Sequence, residues 1–162
     1  MKTTFPPPSV TQFAALAKEF CAWCEGESED AVQLRTAAIW LARLYAAALE
    51  LPYVEPGTDE SESVQHAESE ELGKRGLAGY WGQNYRQVFD PRPENNESPV
   101  MADLGDDLTG VYTDIKRSLA IYEAGNIKEA VWQWRFDLET HWGHHAVGAL
   151  FGIHHLVVSG LG

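Results

Sequence analysis

The chain is short of cationic charge, of sulfur and of long apolar runs. It has 12 Lys and Arg against 24 Asp and Glu, a formal net charge of −12. Its basic residues are scattered, and the densest groups are the pairs Lys74–Arg75 and Lys116–Arg117. Such a surface repels phosphate backbones and anionic bilayers, which argues against nucleic acid or a membrane as partner. No apolar run reaches the roughly 20 residues that a spanning helix needs. The start of the chain, with Pro6, Pro7 and Pro8, has no apolar core of a signal segment. A cytoplasmic location is therefore expected. Two cysteines in 162 residues do not make a disulfide framework.

Catalytic signatures are equally scarce. There is no nucleophile elbow and no H-E-x-x-H pair. The Glu-x-x-His of di-iron bundles is missing too. Gly73, Gly76, Gly79 and Gly82 recur every third residue but lack the G-K-[ST] of a phosphate loop. Cys21 and Cys24 form a C-x-x-C, yet they fall at the end of an expected helix with no βαβ pattern around them. The helix N-terminus that activates such thiols is not there. A zinc site would need two further ligands, and no second C-x-x-C exists.

What is present is a core. Hydrophobic residues make up 44% of the chain, with six each of Trp, Tyr and Phe, enough for one domain spanning 1–162. The periodicity predicts an all-α bundle of about five helices. Ser9 or Thr11 opens the first, which carries Phe13, Leu16, Ala17, Phe20 and Cys24 on one face and stops at Gly26. The second runs from Asp30 to Leu51, before Pro52. An acidic loop is expected at 53–71, where repulsion between carboxylates opposes packing. Leu77, Tyr80, Trp81, Tyr85, Val88 and Phe89 suggest a short third helix. The fourth starts among Asp103, Asp106 and Asp107, carboxylates that suit a helix N-terminus. The fifth is expected to run unbroken over 127–158. No alternating pattern is long enough to argue for a sheet.

Four segments carry a family resemblance: FCAWCE (20–25), NYRQVFDP (84–91), DLGDDLTGVYTDIKRSL (103–119) and WQWRFDLETHWGHHAVGALFGIHH (132–155). In order and spacing they resemble a bacterial family known as domain of unknown function 5063. The resemblance implies a compact helical fold and a bacterial source. It implies no activity.

The candidate chemistry lies in the last of these segments. Five of the six histidines fall between His141 and His155. Asp137, His141 and His145 are spaced by four and would share a helix face. Two histidines at i and i+4 can grip one divalent metal ion, with a carboxylate as further ligand or as orienter. Asp107 and Asp114, seven apart on the fourth helix, could complete such a site across the bundle. Tyr112 and His155 are expected to give polar support. The bland alternative makes His145 a core residue bonded to Asp114, fixing helix register. Trp132 and Trp134 lie about 200° apart on a helix, so one of them is expected near the surface. Two functions follow. The first is a non-catalytic interaction or regulatory module that binds a protein partner or a second copy. The second is a metal-binding protein or metal-dependent enzyme built on the C-terminal histidines.

Overall fold

The structure, a computed structural model, describes residues 5–26, 32–57 and 67–160. Six α-helices and one small sheet appear among them. They are α1 (Pro8–Gly26), α2 (Leu34–Leu49), α3 (Ala67–Gly76), β1 (Asn84–Gln87), β2 (Val100–Asp103), α4 (Leu104–Glu123), α5 (Ile127–Thr140) and α6 (Trp142–Val158). A single 3-10 turn, Ala78–Tyr80, links α3 to β1. None of the helices in the described residues is long and apolar enough to cross a membrane.

α4 is the central element and packs on α1, α3, α5 and α6. Its start follows from chemistry local to the sequence. The Asp103 carboxylate accepts from Gly105 N at 2.7 Å and Asp106 N at 3.4 Å, satisfying donors that a helix N-terminus leaves free. Its other oxygen accepts from Gly82 N at 2.7 Å, tying the end of β2 to the turn before β1. The core rings interlock. Phe13 meets Trp134 edge-on at 4.8 Å, and Trp23 lies near Phe20, Trp40 and Tyr80 at 6.1–6.4 Å. Trp134 is fully buried, while Trp132 is half-buried and stacks on the exposed Phe136.

Three expectations are corrected. First, the helix foreseen at 80–89 is the 3-10 turn followed by β1, which pairs antiparallel with β2, Tyr85 opposite Ala102. The strand alternates outward and inward, but over four residues only, too few for a period of two to stand out. Second, the end of the acidic segment, 67–71, is helical, while 58–66 lies outside the described residues, as does Asp30. Third, the long fifth helix is broken at His141, whose φ of −146° and ψ of −79° are not helical. The break lets Trp142 turn fully inward and donate its indole N–H to the Trp134 carbonyl at 3.2 Å. Gly143 makes it possible, since a Cβ there would lie 2.1 Å from the Leu138 carbonyl oxygen.

Helix α3 crosses α1 closely. A Cβ on Gly76 would fall 1.9 Å from the Cys24 carbonyl oxygen, whereas one on Gly26 would meet nothing within 4 Å. Gly76→Ala should therefore cost about 1–3 kcal/mol in chemical denaturation, because backbone must move. Gly26→Ala should leave the unfolding midpoint unchanged or slightly raised. Equal effects of the two would contradict this packing.

Candidate functional site

The two histidines singled out from the sequence meet the two aspartates singled out with them, but in a different arrangement. His141 Nδ1 lies 2.6 Å from Asp114 Oδ2, and His145 Nδ1 lies 2.9 Å from Asp107 Oδ1. The expected His145–Asp114 pair is thus exchanged for two separate dyads. The imidazoles then face each other, Nε2 to Nε2, at 3.3 Å. Asp107 and Asp114 bond to the outer nitrogens and sit behind the rings, in the place of orienting groups.

Each carboxylate is buried in the face of α4, at 3% and 5% exposure. Burial without partners is costly, and the structure supplies several. Asp107 also accepts from the Tyr85 hydroxyl at 2.7 Å. Asp114 accepts from Arg117 Nη2 at 3.2 Å, and the same nitrogen donates to buried Asp137 at 2.9 Å. Gln133 donates to the second Asp137 oxygen at 2.8 Å. A continuous polar chain results, from Tyr85 on β1 to Gln133 on α5. The Asp137 carboxylate thus bonds Arg117 and Gln133 rather than a histidine, and only its backbone carbonyl meets His141, accepting from the amide at 2.8 Å.

Electrostatics follow the contacts. The Asp107 hydrogen bond raises the His145 pKa above its ordinary 6.5, with burial opposing. Burial raises the Asp114 pKa, the His141 hydrogen bond opposes this, and nearby Asp137 adds to the rise. Burial and then the Asp107 hydrogen bond keep the Tyr85 phenol protonated, so it acts as a donor.

Other expected contributors lie elsewhere. The Tyr112 hydroxyl donates to Glu25 at 2.8 Å on the opposite side of α4, beside Lys116. His155 is exposed and stacks on Phe151. Cys21 and Cys24 are buried, and burial pushes the Cys21 thiol up to about 12. Reading the sequence missed Tyr85 and Gln133, and it treated Arg117 only as half of a basic pair. The i, i+3 spacing of Asp114 and Arg117 was a usable signal; for Tyr85, read as helical, there was none.

The dyads open into a cleft of about 570 Å³, walled by Trp81, Phe89, Met101 and His144 and by the exposed Asp106. Ligand atoms of Asp106, Asp107 and His145 lie within 4.8 Å of one another. Room for the site comes from a small residue, since a Cβ on Gly110 would meet the His145 ring at 2.9 Å. Tyr85 reaches Asp107 by crossing α6 at Gly148 and Gly152, where a Cβ would sit 2.6 and 2.7 Å from the tyrosine.

The fold and site thus define a helical bundle with paired carboxylate–histidine dyads on its central helix. The family described as Domain of unknown function (DUF5063) matches residues 6–159, and the chain belongs to it. The crystal structure of protein BF1032 from Bacteroides fragilis is similar, with a TM-score of 0.71 and 23% identity over 93% of this chain and 96% of that one. At that identity the likeness is one of fold. No functionally curated protein matches the chain.

The raised His145 value has a thermodynamic consequence. A folded pKa above 6.5 means that the His145–Asp107 pair stabilises fully below that pH. The contribution fades as pH rises through the folded value. In an NMR titration of chelator-treated protein, His145 should titrate above 6.5, and Asp107→Asn should bring it down. A wild-type value at or below 6.5 would contradict the dyad. The buried thiols should also resist a disulfide probe at pH 8 until the protein is unfolded.

Proposed function

We propose that the chain is a helical module that holds one divalent transition-metal ion between His141 and His145. The observation that carries this reading is the Nε2-to-Nε2 separation of 3.3 Å. Ionised Asp107 and Asp114 only accept, so the hydrogens sit on both Nδ1 atoms. Each neutral ring then turns an Nε2 lone pair toward the other. Two lone pairs at that distance repel unless a cation lies between them. A proton on His145 Nε2, which its raised pKa favours, is the competing occupant, and 3.3 Å is long for the hydrogen bond it would make. Two imidazoles on one ion, each at about 2.0–2.1 Å in tetrahedral geometry, stand about 3.3–3.4 Å apart.

The surroundings support the same reading. A metal-bound histidine ordinarily donates its other N–H to a carboxylate, which fixes the tautomer and makes the ring more basic. Both rings have that arrangement here. Asp106, whose carboxylate lies within 4.8 Å of ligand atoms of Asp107 and His145, is a further donor on the cleft, and remaining positions would face that cleft. A donor set of imidazole and carboxylate suits a divalent first-row ion such as zinc or manganese. The interaction or regulatory role also raised by the sequence is compatible with metal binding and finds its own support in the neighbouring groove.

Protein purified without a histidine tag should contain close to one equivalent of metal, or take up one equivalent of zinc after chelation. Its melting midpoint should rise on zinc addition. A His141→Ala, His145→Ala double variant should lose both effects, and Asp114→Asn should weaken affinity about 10–100-fold. A melting midpoint unmoved by zinc and manganese, with no bound metal, would leave the pair as a shared-proton contact and overturn the proposal.

A further inference from the structure

A second cavity lies beside the cleft, and none of the proposed metal ligands lines it. It encloses about 900 Å³ between α2, β1, α5 and α6. Small-molecule sites commonly fall between about 300 and 1,000 Å³, with mainly apolar walls and a few polar groups. The walls here are Leu49, Val88, Phe89, Val147 and Phe151, all exposed. Leu49 is 60% exposed and Phe151 63%. Apolar side chains gathered around one concavity are not the scattered singles of an ordinary surface.

The charge of this groove runs against that of the chain. Arg86 and Arg135 line it, with Glu139 as the carboxylate. Glu139 is already paired with Arg135 at 3.3 Å. Arg86 is exposed and has no ion pair among the described residues. Arg135 is buried and donates to the Leu51 carbonyl at 2.8 Å, while its Nε–H finds no acceptor there. The Tyr53 ring lies 3.6 Å over the guanidinium and is 84% exposed, so it covers this cation from solvent. Arg135 and Glu139 offset each other, so in a chain of net charge −12 the groove carries one cation in excess, Arg86, beside the unsatisfied Nε–H of Arg135, and is complementary to an anion.

We propose that this groove binds a small amphipathic carboxylate. Its hydrocarbon body lies between α2 and α6, against Leu49, Val147 and Phe151. Its carboxylate pairs with Arg86 and Arg135, and Tyr53 yields as it enters. Gln87, Phe89 and His144 line both cavities, so the ligand would lie next to the histidine pair. The inference does not depend on metal binding, because none of the proposed metal ligands lines the groove.

The test is calorimetric titration of the full chain, chelated and zinc-loaded, with decanoate below its micellar concentration. Decanol and decyltrimethylammonium serve as uncharged and cationic controls. Decanoate should bind saturably at one site and about tenfold more tightly than either control. Arg86→Glu should remove most of that preference. Phe151→Asp and, separately, Val147→Asp should abolish binding while circular dichroism stays unchanged. The His141→Ala, His145→Ala variant should still bind. Equal affinity for decanol would overturn the charge assignment. Absence of saturation, or binding indifferent to both aspartate variants, would overturn the site. A dimer seen in sedimentation and dissolved by Phe151→Asp would assign the groove to a second copy instead.

Discussion

The structure turns on two carboxylates placed inside an apolar helix face. Asp107 and Asp114 are seven residues apart on α4, so they emerge on one side, about 10 Å apart along the axis. Their histidine partners are four apart, about 6 Å by the same measure if the backbone were a continuous helix. The wider pair therefore holds the narrower one by its outer nitrogens, and the inner nitrogens converge. Lower on one element pairs with higher on the other: Asp107 takes His145 and Asp114 takes His141. The approach of the Nε2 atoms is thus a consequence of spacing along two chains as much as of any contact between the rings.

Much of the remaining architecture serves to keep those carboxylates supplied with donors. The break at His141 frees that residue from helical geometry and turns it toward α4. The sheet contributes a donor from outside the bundle. A two-stranded ribbon has little stability alone. Here Asp103 bonds both to the turn before β1 and to the first amides of α4. Glycines at 148 and 152 then let Tyr85 lie flat against α6 and reach Asp107. Arg117 joins Asp114 to Asp137, so neutralising either carboxylate disturbs the other.

Legibility in the sequence tracked the range of the interactions. The start of α4 was readable because capping and dipole effects act within one turn; α1 opens at Pro8, ahead of the expected caps Ser9 and Thr11, and Thr11 donates to the Pro8 carbonyl instead. The composition of the site was readable because polar residues spaced by four or seven share a face. What could not be read was the order of pairing across helices, since His145 could have met either aspartate. The break at His141 was hidden because His-Trp-Gly continues a helical pattern. Its cause lies in Trp142 finding the Trp134 carbonyl and in Gly143 passing Leu138, contacts that only the packed chain brings about. β1 was hidden because Leu77, Trp81, Tyr85 and Phe89 happen to fall four apart, a helical spacing, although the last of these points into a groove rather than a core.

The paired dyads also bear on whether the network is merely structural. One buried aspartate bonded to one histidine would suffice to fix the register of α4 against α6. A second dyad brings a second buried carboxylate, with its own desolvation cost. It also brings a second imidazole, whose Nε2 faces another ring nitrogen at 3.3 Å. That contact offers folding little: with both rings neutral and both Nδ1 atoms protonated it is repulsive. It is tolerated because Tyr85 and Arg117 also bond the carboxylates and because His141, at 54% side-chain exposure, opens to the cleft. Register alone would need only one dyad, and the cation proposed between the rings rests on the presence of the second.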